Sequence, residues 1–193
     1  MLANSSPPRR EAPAFACFDT PVGLCAIVWG ARGVLAVLLP EANPEALRAR
    51  ARREFAGGVE APPSPAVQRA IQGILELLHG ARLDLQDIAL DMTRVPEFER
   101  RVYDLARTIQ PGSTATYGEL AQRLGDPALA RAVGRALGAN PFSIVVPCHR
   151  VLAAGGKAGG FSAIGGVRTK LRLLQIEGAP LGGSPGLFDS PSP

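Results

Sequence analysis

The chain has 193 residues, with 21 Lys and Arg against 17 Asp and Glu, a formal net charge of +4 and a pI near 9.4. This length accommodates one large domain or two small ones. We predict two, because residues 96–178 contain eleven Lys and Arg against six Asp and Glu, whereas residues 1–95 contain ten of each. A neutral first half and a basic second half indicate a polyanionic partner for the second half.

The N-terminal stretch and the cysteines indicate the cellular compartment of the protein. Residues 1–13 contain no apolar run, so we expect neither a signal peptide nor a membrane anchor there, and predict that this stretch is disordered. The three cysteines show no Cys-x-x-Cys spacing, which argues against a disulfide framework and favours a reducing compartment. We therefore expect a cytoplasmic protein.

Residues 14–92 are predicted to form a small α/β domain. Three apolar segments separated by Gly-containing turns predict an antiparallel meander: Ala14–Asp19, Leu24–Trp29 and Val34–Leu39. Asn43-Pro44 and Ser64-Pro65 then begin two helices, which run to about Phe55 and His79. Leu83–Leu90 is predicted to add a late strand before the link to the second domain.

Cys17, Cys25 and His79 are the candidate metal ligands of this first domain. A closed zinc site requires four ligands, and only three can be named. We therefore favour two packed cysteines and a helix-end histidine, and predict no metal.

Residues 96–178 are predicted to form a mostly helical domain. Pro96 begins a helix that ends before Gln110-Pro111-Gly112. Thr116 with Glu119 is a capping box for a short helix to Leu124, and Asp126-Pro127 begins another, which carries an apolar stripe. Two helices joined by a tight Gly-containing turn are typical of a helix-turn-helix.

The predicted outer face of the second helix carries two cations among small residues: Ala128, Arg131, Gly134, Arg135 and Gly138. Arginines are ordinary on a solvated surface. Beside a helix-turn-helix and a basic domain, however, this face indicates DNA binding.

A last helix is predicted from Gly166 to Glu177, with Val167, Leu171 and Leu174 inward and Arg168, Lys170 and Arg172 outward. Glu177 places a carboxylate in the final turn, where the helix dipole favours a cation. Local rules tend to be broken at functional sites, so Glu177 is a candidate site residue. Residues 179–193 are rich in Gly, Pro and Ser and are predicted to be disordered.

Cys148 is the candidate nucleophile. The apolar run Ile144–Val146 predicts a buried strand ended by Pro147, which places Cys148 at the end of a rigid element. A cysteine is nucleophilic as the thiolate, and neighbours such as His149 and Arg150 favour that form. A cysteine is often only a small core residue, but a core position does not explain the His and Arg that follow it.

The segment Val145–Val151, with Asn140-Pro141, Gly159, Gly160 and Ser162, resembles the active-site signature of the O6-alkylguanine-DNA alkyltransferases, also called methylated-DNA–protein-cysteine methyltransferases. The resemblance covers about Pro96 to Gly178. It implies an α+β fold, in which a ribonuclease H-like domain with a small antiparallel sheet precedes a winged helix-turn-helix domain.

The resemblance also implies an activity. In the family, a cysteine accepts an alkyl group from O6 of a guanine, or alternatively O4 of a thymine, that has been flipped out of double-stranded DNA bound through its minor groove. The thioether is permanent, so each molecule acts once. No cofactor is implied, and we expect a monomer without membrane association.

Site residues follow from the matched positions. Those assigned to catalysis are Cys148, His149, Glu177 and Asn140; those assigned to DNA binding are Tyr117, Arg131, Arg135, Ala132 and Gly134; those assigned to the base pocket are Tyr117, Val151, Phe161 and Ser162. The chain departs from the family at Phe161, where many members have tyrosine, and at Ile164, which lies in an insertion.

Three other functions compete with this one. A lesion-binding alkyltransferase-like protein flips alkylguanine without accepting the group, but such relatives usually lack the cysteine. A helix-turn-helix regulator has no need of Pro147-Cys148-His149-Arg150. A cysteine hydrolase needs an acyl substrate and an oxyanion hole, which a basic groove does not suit.

Overall fold

A computed structural model of the chain describes residues 12–180. The segments predicted to be disordered are residues 1–13 and 179–193. Most of their length, residues 1–11 and 181–193, lies outside the described range. The described part is an α+β protein with a sheet in its first half and a helical second half, which confirms the predicted fold class.

The first half is built on a four-stranded sheet in the order β3-β2-β1-β4. The predicted meander is present as β1 (Ala14–Thr20), β2 (Gly23–Gly30) and β3 (Gly33–Leu38), all antiparallel. A short strand that was not predicted, β4 (Val59–Glu60), pairs in parallel with β1.

Two helices cover the two faces of this sheet. Helix α1 (Pro44–Glu54) packs Leu47 and Ala51 against one face, and α2 (Pro65–Leu78) packs Ile74 against the other. Each begins with Pro behind a side-chain cap, since Asn43 accepts from the backbone N–H of Ala46 and Ser64 from that of Val67.

The predicted strand Leu83–Leu90 is wrong, because this segment is a loop with only an isolated bridge between Leu90 and Val34. Its carbonyls are satisfied elsewhere, since the Arg107 guanidinium donates to the backbone oxygens of Leu85, Gln86 and Ile88. Buried Leu85 and Ile88 are spaced three apart, which suits a turn rather than the two-residue period of a strand.

The second half begins with α3 (Glu97–Arg107), and its helix-turn-helix follows. The capping box is formed as predicted, with reciprocal bonds between Thr116 and Glu119 that begin α4 (Tyr117–Arg123). Asp126 caps a 3₁₀ turn, Pro127–Leu129, which continues into α5 (Ala130–Gly138). The strands β5 (Ala115–Thr116) and β6 (Val151–Leu152) pair in parallel beside these helices.

The predicted strand Ile144–Val146 is also wrong, because the residues before Cys148 form a turn. The Asn140 side chain accepts a hydrogen bond from the Phe142 N–H and donates one to the Val146 carbonyl, and the Val146 N–H donates to the Phe142 carbonyl. These local bonds take the place of sheet partners. Cys148 itself begins a 3₁₀ turn, Cys148–Arg150, which leads into β6.

Helix α6 (Val167–Ile176) ends the described fold, and two of its side chains face the opposite way from the prediction. Lys170, predicted outward, is 0 % exposed and donates to the Val151 carbonyl over 2.6 Å, whereas Val167, predicted inward, is 41 % exposed. The Val151 carbonyl gives the buried ammonium an acceptor, which an apolar-stripe argument does not anticipate.

Candidate active site

Cys148 lies against a pocket of about 470 Å³ between α5 and the glycine-rich segment that precedes α6. It is 9 % exposed. The residues that line the pocket come from α4, α5, the 3₁₀ turn Cys148–Arg150 and the glycine-rich segment: Tyr117, Gly134, Leu137, Gly138, Cys148, Gly160, Phe161 and Ser162. The thiol is therefore reached through a pocket that also touches the helix with the two predicted DNA-binding arginines.

Behind the thiol, three buried polar side chains meet at one carboxylate. Glu177 Oε1 lies 2.9 Å from His149 Nε2, and the Arg150 guanidinium donates to both Glu177 oxygens over 2.8 Å. Arg150 also donates to the Ile109 carbonyl. A bidentate contact of this kind fixes the plane of the carboxylate as well as its charge.

The protonation states of this cluster follow from burial and pairing. Burial opposes ionisation of Glu177, but hydrogen bonds from His149 and Arg150 outweigh it and lower the pKa of that carboxyl to about 2. Burial lowers the pKa of His149, which is 1 % exposed. A neutral imidazole that donates Nε2–H to Glu177 presents Nδ1 as an acceptor. Nδ1 is buried and has no hydrogen-bond partner among residues 12–180.

Burial also raises the pKa of Cys148. A hydrogen bond with the Asn140 side chain, the charge of Lys170 and the backbone N–H groups of Cys148 and His149 act in the opposite direction without cancelling the effect. Because the resting thiol is the favoured form, nucleophilic attack needs a base nearby.

Tyr117 and Lys170 both lie near the thiol. Burial lowers the pKa of Lys170 to about 8, although the nearby Cys148 favours its charged form. Its Nζ lies 5.7 Å from the centroid of the Tyr117 ring, within cation–π range. Gly159 has a φ of 65°, and a Cβ there would lie 3.3 Å from the Tyr117 hydroxyl, so glycine suits both the backbone conformation and the close contact.

The other predicted site residues are divided between the pocket and the surface. Phe161 and Ser162 line the pocket, whereas Val151 is buried and does not line it. Arg131 and Arg135 are exposed on α5, Ala132 is half-buried, and Gly134 lies both on α5 and in the pocket wall. Asn140 lies behind the cysteine turn rather than in the pocket.

The three candidate metal ligands of the first half do not converge. Cys17 and Cys25 pack on opposite faces of the sheet, and His79 is exposed with Nδ1 on the Leu75 carbonyl. Residues 12–180 contain no group of three or more Cys, His, Asp or Glu side chains placed to hold a metal ion. A cleft of about 1020 Å³ between α2, the start of β3 and the 82–89 loop contains none of the predicted site residues.

Comparison with known proteins agrees with this geometry. Residues 97–179 match the family model described as "6-O-methylguanine DNA methyltransferase, DNA binding domain". The chain is 37 % identical over 157 residues to a methylated-DNA–protein-cysteine methyltransferase of Methanothermobacter thermautotrophicus, covering 81 % of each protein. The chain belongs to this methyltransferase family.

Other relatives extend the similarity. A methylated-DNA–protein-cysteine methyltransferase of Mycolicibacterium paratuberculosis is 46 % identical over 124 residues, which is 63 % of this chain and 73 % of the relative. The fold is similar to that of Mycobacterium tuberculosis OGT in complex with DNA, with a TM-score of 0.68 and 30 % identity over 86 % of this chain and 95 % of the other. The similarity to these methyltransferases therefore includes the sheet of the first half as well as the matched helical part.

Three residues at the site were not predicted from the sequence. Leu137 and Gly138 line the pocket from the end of α5, and Lys170 is buried beside it. The sequence predicts Gly138 only on the outer face of the helix, and no sequence signal places Lys170 inside. In the described part of the chain, no helix has both the length and the apolar character needed to cross a membrane.

Proposed function

We propose that this chain repairs alkylated DNA by direct reversal, transferring a methyl or other alkyl group from O6 of guanine to Sγ of Cys148. The observation that carries the proposal is the position of Cys148, which faces an open pocket and is backed by the buried His149–Glu177 pair. The exposed arginines of α5 lie on the same helix that forms a wall of this pocket.

In the transfer step, Sγ attacks the alkyl carbon. The carbon–sulfur bond forms as the carbon–oxygen bond to O6 breaks, and the bonding pair leaves with guanine. The thiol proton passes to His149 Nδ1 through a water, because side chains of adjacent residues point apart and the direct path is unfavourable. The guanine anion is then protonated, and the thioether remains on the protein, so each molecule reacts once.

Glu177 orients and polarises the base. Its carboxylate accepts from His149 Nε2, which selects the tautomer with Nδ1 free to take the thiol proton and stabilises the imidazolium that results. Arg150 fixes that carboxylate from the other side. Lys170 adds a positive charge near Sγ, which favours the thiolate.

The pocket residues act on the base. Ser162 hydrogen-bonds O6 and stabilises the charge that develops on the leaving guanine. Phe161 and Tyr117 supply aromatic walls for the flipped purine, and Tyr117 crowds the adjacent phosphate. Asn140 is assigned to the turn, where its two hydrogen bonds hold the segment that ends at Cys148.

The partner is double-stranded DNA that contains an alkylated guanine, approached from the minor groove. Arg131 enters the stack that the flipped base leaves, which offsets an unstacking cost of a few kcal/mol. Arg135 neutralises phosphate, and Ala132 and Gly134 are small enough for α5 to lie close to the duplex. We assign the protein to the cytoplasm and to a monomeric state, with alkyl transfer favoured over lesion binding alone because Cys148 faces the pocket.

The test is a single incubation with a duplex that carries O6-methylguanine. Mass spectrometry of the digested protein should find one added methylene on the peptide that contains Cys148, in at most one copy per molecule. Cys148→Ala should abolish the transfer, and Cys17→Ala is the matched control that should retain it, because Cys17 packs on the outer face of the first-half sheet. Methylation of Cys17, or transfer that survives Cys148→Ala, would contradict the proposal.

A further inference from the structure

The edge of the first-half sheet pairs directly with the segment that carries the reactive cysteine. Among residues 12–180, no strand pairs with β3 on the side away from β2. On that side the Val37 N–H donates to the Pro141 carbonyl over 2.9 Å, and Val37 forms a parallel bridge with Phe142. Val37 and Phe142 are both buried.

From Pro141 the chain passes to Phe142, and two further backbone hydrogen bonds connect Phe142 to Cys148. The Phe142 carbonyl accepts from the Val146 N–H over 2.8 Å, and the Val146 carbonyl accepts from the Cys148 N–H over 2.8 Å. The Asn140 side chain closes the turn, accepting from the Phe142 N–H and donating to the Val146 carbonyl, each over 2.9 Å. Pro141, Phe142 and Val146 thus connect β3 to the backbone of Cys148.

The turn crossed by these bonds contains backbone strain. Ile144 has a φ of 74°, the only positive φ at a residue other than glycine in residues 12–180. A β-branched residue in the left-handed region is costly and persists only where its surroundings over-determine it. Asn140 fixes the turn from within, whereas Val37 fixes it from the first half of the chain.

We propose that Val37 is a positioning residue for the transfer reaction, acting through its backbone N–H on the turn from Pro141 to Val146 that aims Cys148. Through this bond the first-half sheet holds the strained turn in the conformation that directs Sγ into the pocket. This inference rests on the proposed function, since it names how the same site is held in place. On this proposal, the first half of the chain affects the transfer rate by holding the cysteine turn in place, and it does not need to contact DNA.

The chain offers a matched control on the same strand. The Val34 N–H donates to the Ala89 carbonyl over 2.9 Å, also from the free edge of β3, but to the loop before the second domain. Val34 and Val37 are both buried valines. Val37→Pro and Val34→Pro therefore each remove one N–H of the same kind, and only the first leads to the cysteine turn.

The experiment measures duplex affinity and the single-turnover transfer rate at saturating protein for wild type and both variants. For Val37→Pro we expect unchanged affinity and a transfer rate about tenfold lower. The turn loses a bond that holds it in the productive conformation, and the free energy of one hydrogen bond changes a rate by roughly that factor. Val34→Pro should transfer at the wild-type rate. Equal slowing in both variants, or no slowing in Val37→Pro, would overturn the inference. A wild-type protein without transfer activity would instead contradict the proposed function.

A second measurement needs no variant and covers the case in which Val37→Pro does not fold. Amide hydrogen exchange in the wild-type protein reports which bonds open together. We expect the amides of Val37, Val146 and Cys148 to exchange as one unit, with a common dependence on denaturant that the Val34 amide does not share. Independent exchange of Val146 and Val37 would contradict the coupling between β3 and the turn.

Discussion

The Glu177 carboxylate is the shared hydrogen-bond acceptor of His149 and Arg150 inside the protein. We therefore expect its replacement to affect both the stability of the fold and the transfer reaction. Removing its charge leaves the Arg150 guanidinium buried without its counterion. The loss of one partner from a buried ion pair typically lowers the free energy of unfolding by about 3–5 kcal/mol. The same loss deprives His149 of the group that selects its tautomer.

We therefore predict that Glu177→Gln lowers both the free energy of unfolding and the transfer rate. Because the folded-state pKa of Glu177 is lowered to about 2 from 4.5, the ionised carboxyl contributes stability that is fully present above pH 4.5 and is lost as pH falls towards 2. The stability difference between wild type and variant should shrink over that interval. Denaturant unfolding at a series of pH values measures it. Glu76→Gln is the control, because Glu76 is exposed and its replacement should change the free energy of unfolding little at about pH 7. A difference that stays constant down to pH 2 would count against the assigned pairing.

At the scale of elements, α5 carries Arg131 and Arg135 one helical turn apart, and its residues Gly134 and Gly138 line the pocket. The two arginines are predicted to differ in what they do. If Arg131 fills the vacated stack, Arg131→Ala should slow transfer from alkylguanine in duplex DNA and hardly affect transfer from the free alkylguanine base, which needs no flipping.

Arg135→Ala is the matched change on the same helix. It should weaken duplex affinity while leaving the transfer rate of the bound complex unchanged, because a phosphate contact positions the duplex without opening it. Single-turnover rates at saturating protein, on duplex and on free base, separate the two effects. An equal loss on both substrates in Arg131→Ala would point to a structural role in α5.

Most elements could be predicted from the sequence because their signals are local. The capping box at Thr116, the Pro-initiated helices and the Gly-separated strands each depend on a few neighbouring residues. Glu177 was singled out as a carboxylate in the wrong helical turn, and the structure places it against His149.

The elements that could not be predicted depend on distant partners. Ile144–Val146 has the composition of a strand, but Asn140 and β3 take its backbone bonds and make it a turn. Leu83–Leu90 has its carbonyls taken by Arg107, more than 15 residues later in the chain. Lys170 is inside because β6 brings the Val151 carbonyl to it, and periodicity alone contains no information about that acceptor.

At the scale of the whole molecule, the uneven distribution of charge predicts where DNA affinity originates. The logarithm of affinity should fall linearly with the logarithm of salt concentration as neutralised phosphates release counterions. Replacing Arg135 with Ala should reduce that slope by about one, since each phosphate contact contributes about one.

Replacing Arg52 and Arg53 with Ala is the control, because these are adjacent exposed arginines at the end of α1 in the neutral half. Their removal should leave the slope unchanged. A slope reduced as much by this control as by Arg135→Ala would mean that the duplex contacts the first half of the molecule as well. Affinity titrations at several salt concentrations, with alkylated and unmodified duplex, provide the measurement.

The distance along the chain between His149 and its carboxylate partner sets an order of events during synthesis. The two residues are 28 positions apart, so the cysteine turn is synthesised before the end of α6. A nascent chain that stops short of Glu177 contains the thiol but not the carboxylate that accepts from His149 and Arg150. For a protein that reacts once through Cys148, we therefore expect incomplete chains to lack transfer activity and to leave the thiol unreacted until the last helix has been added.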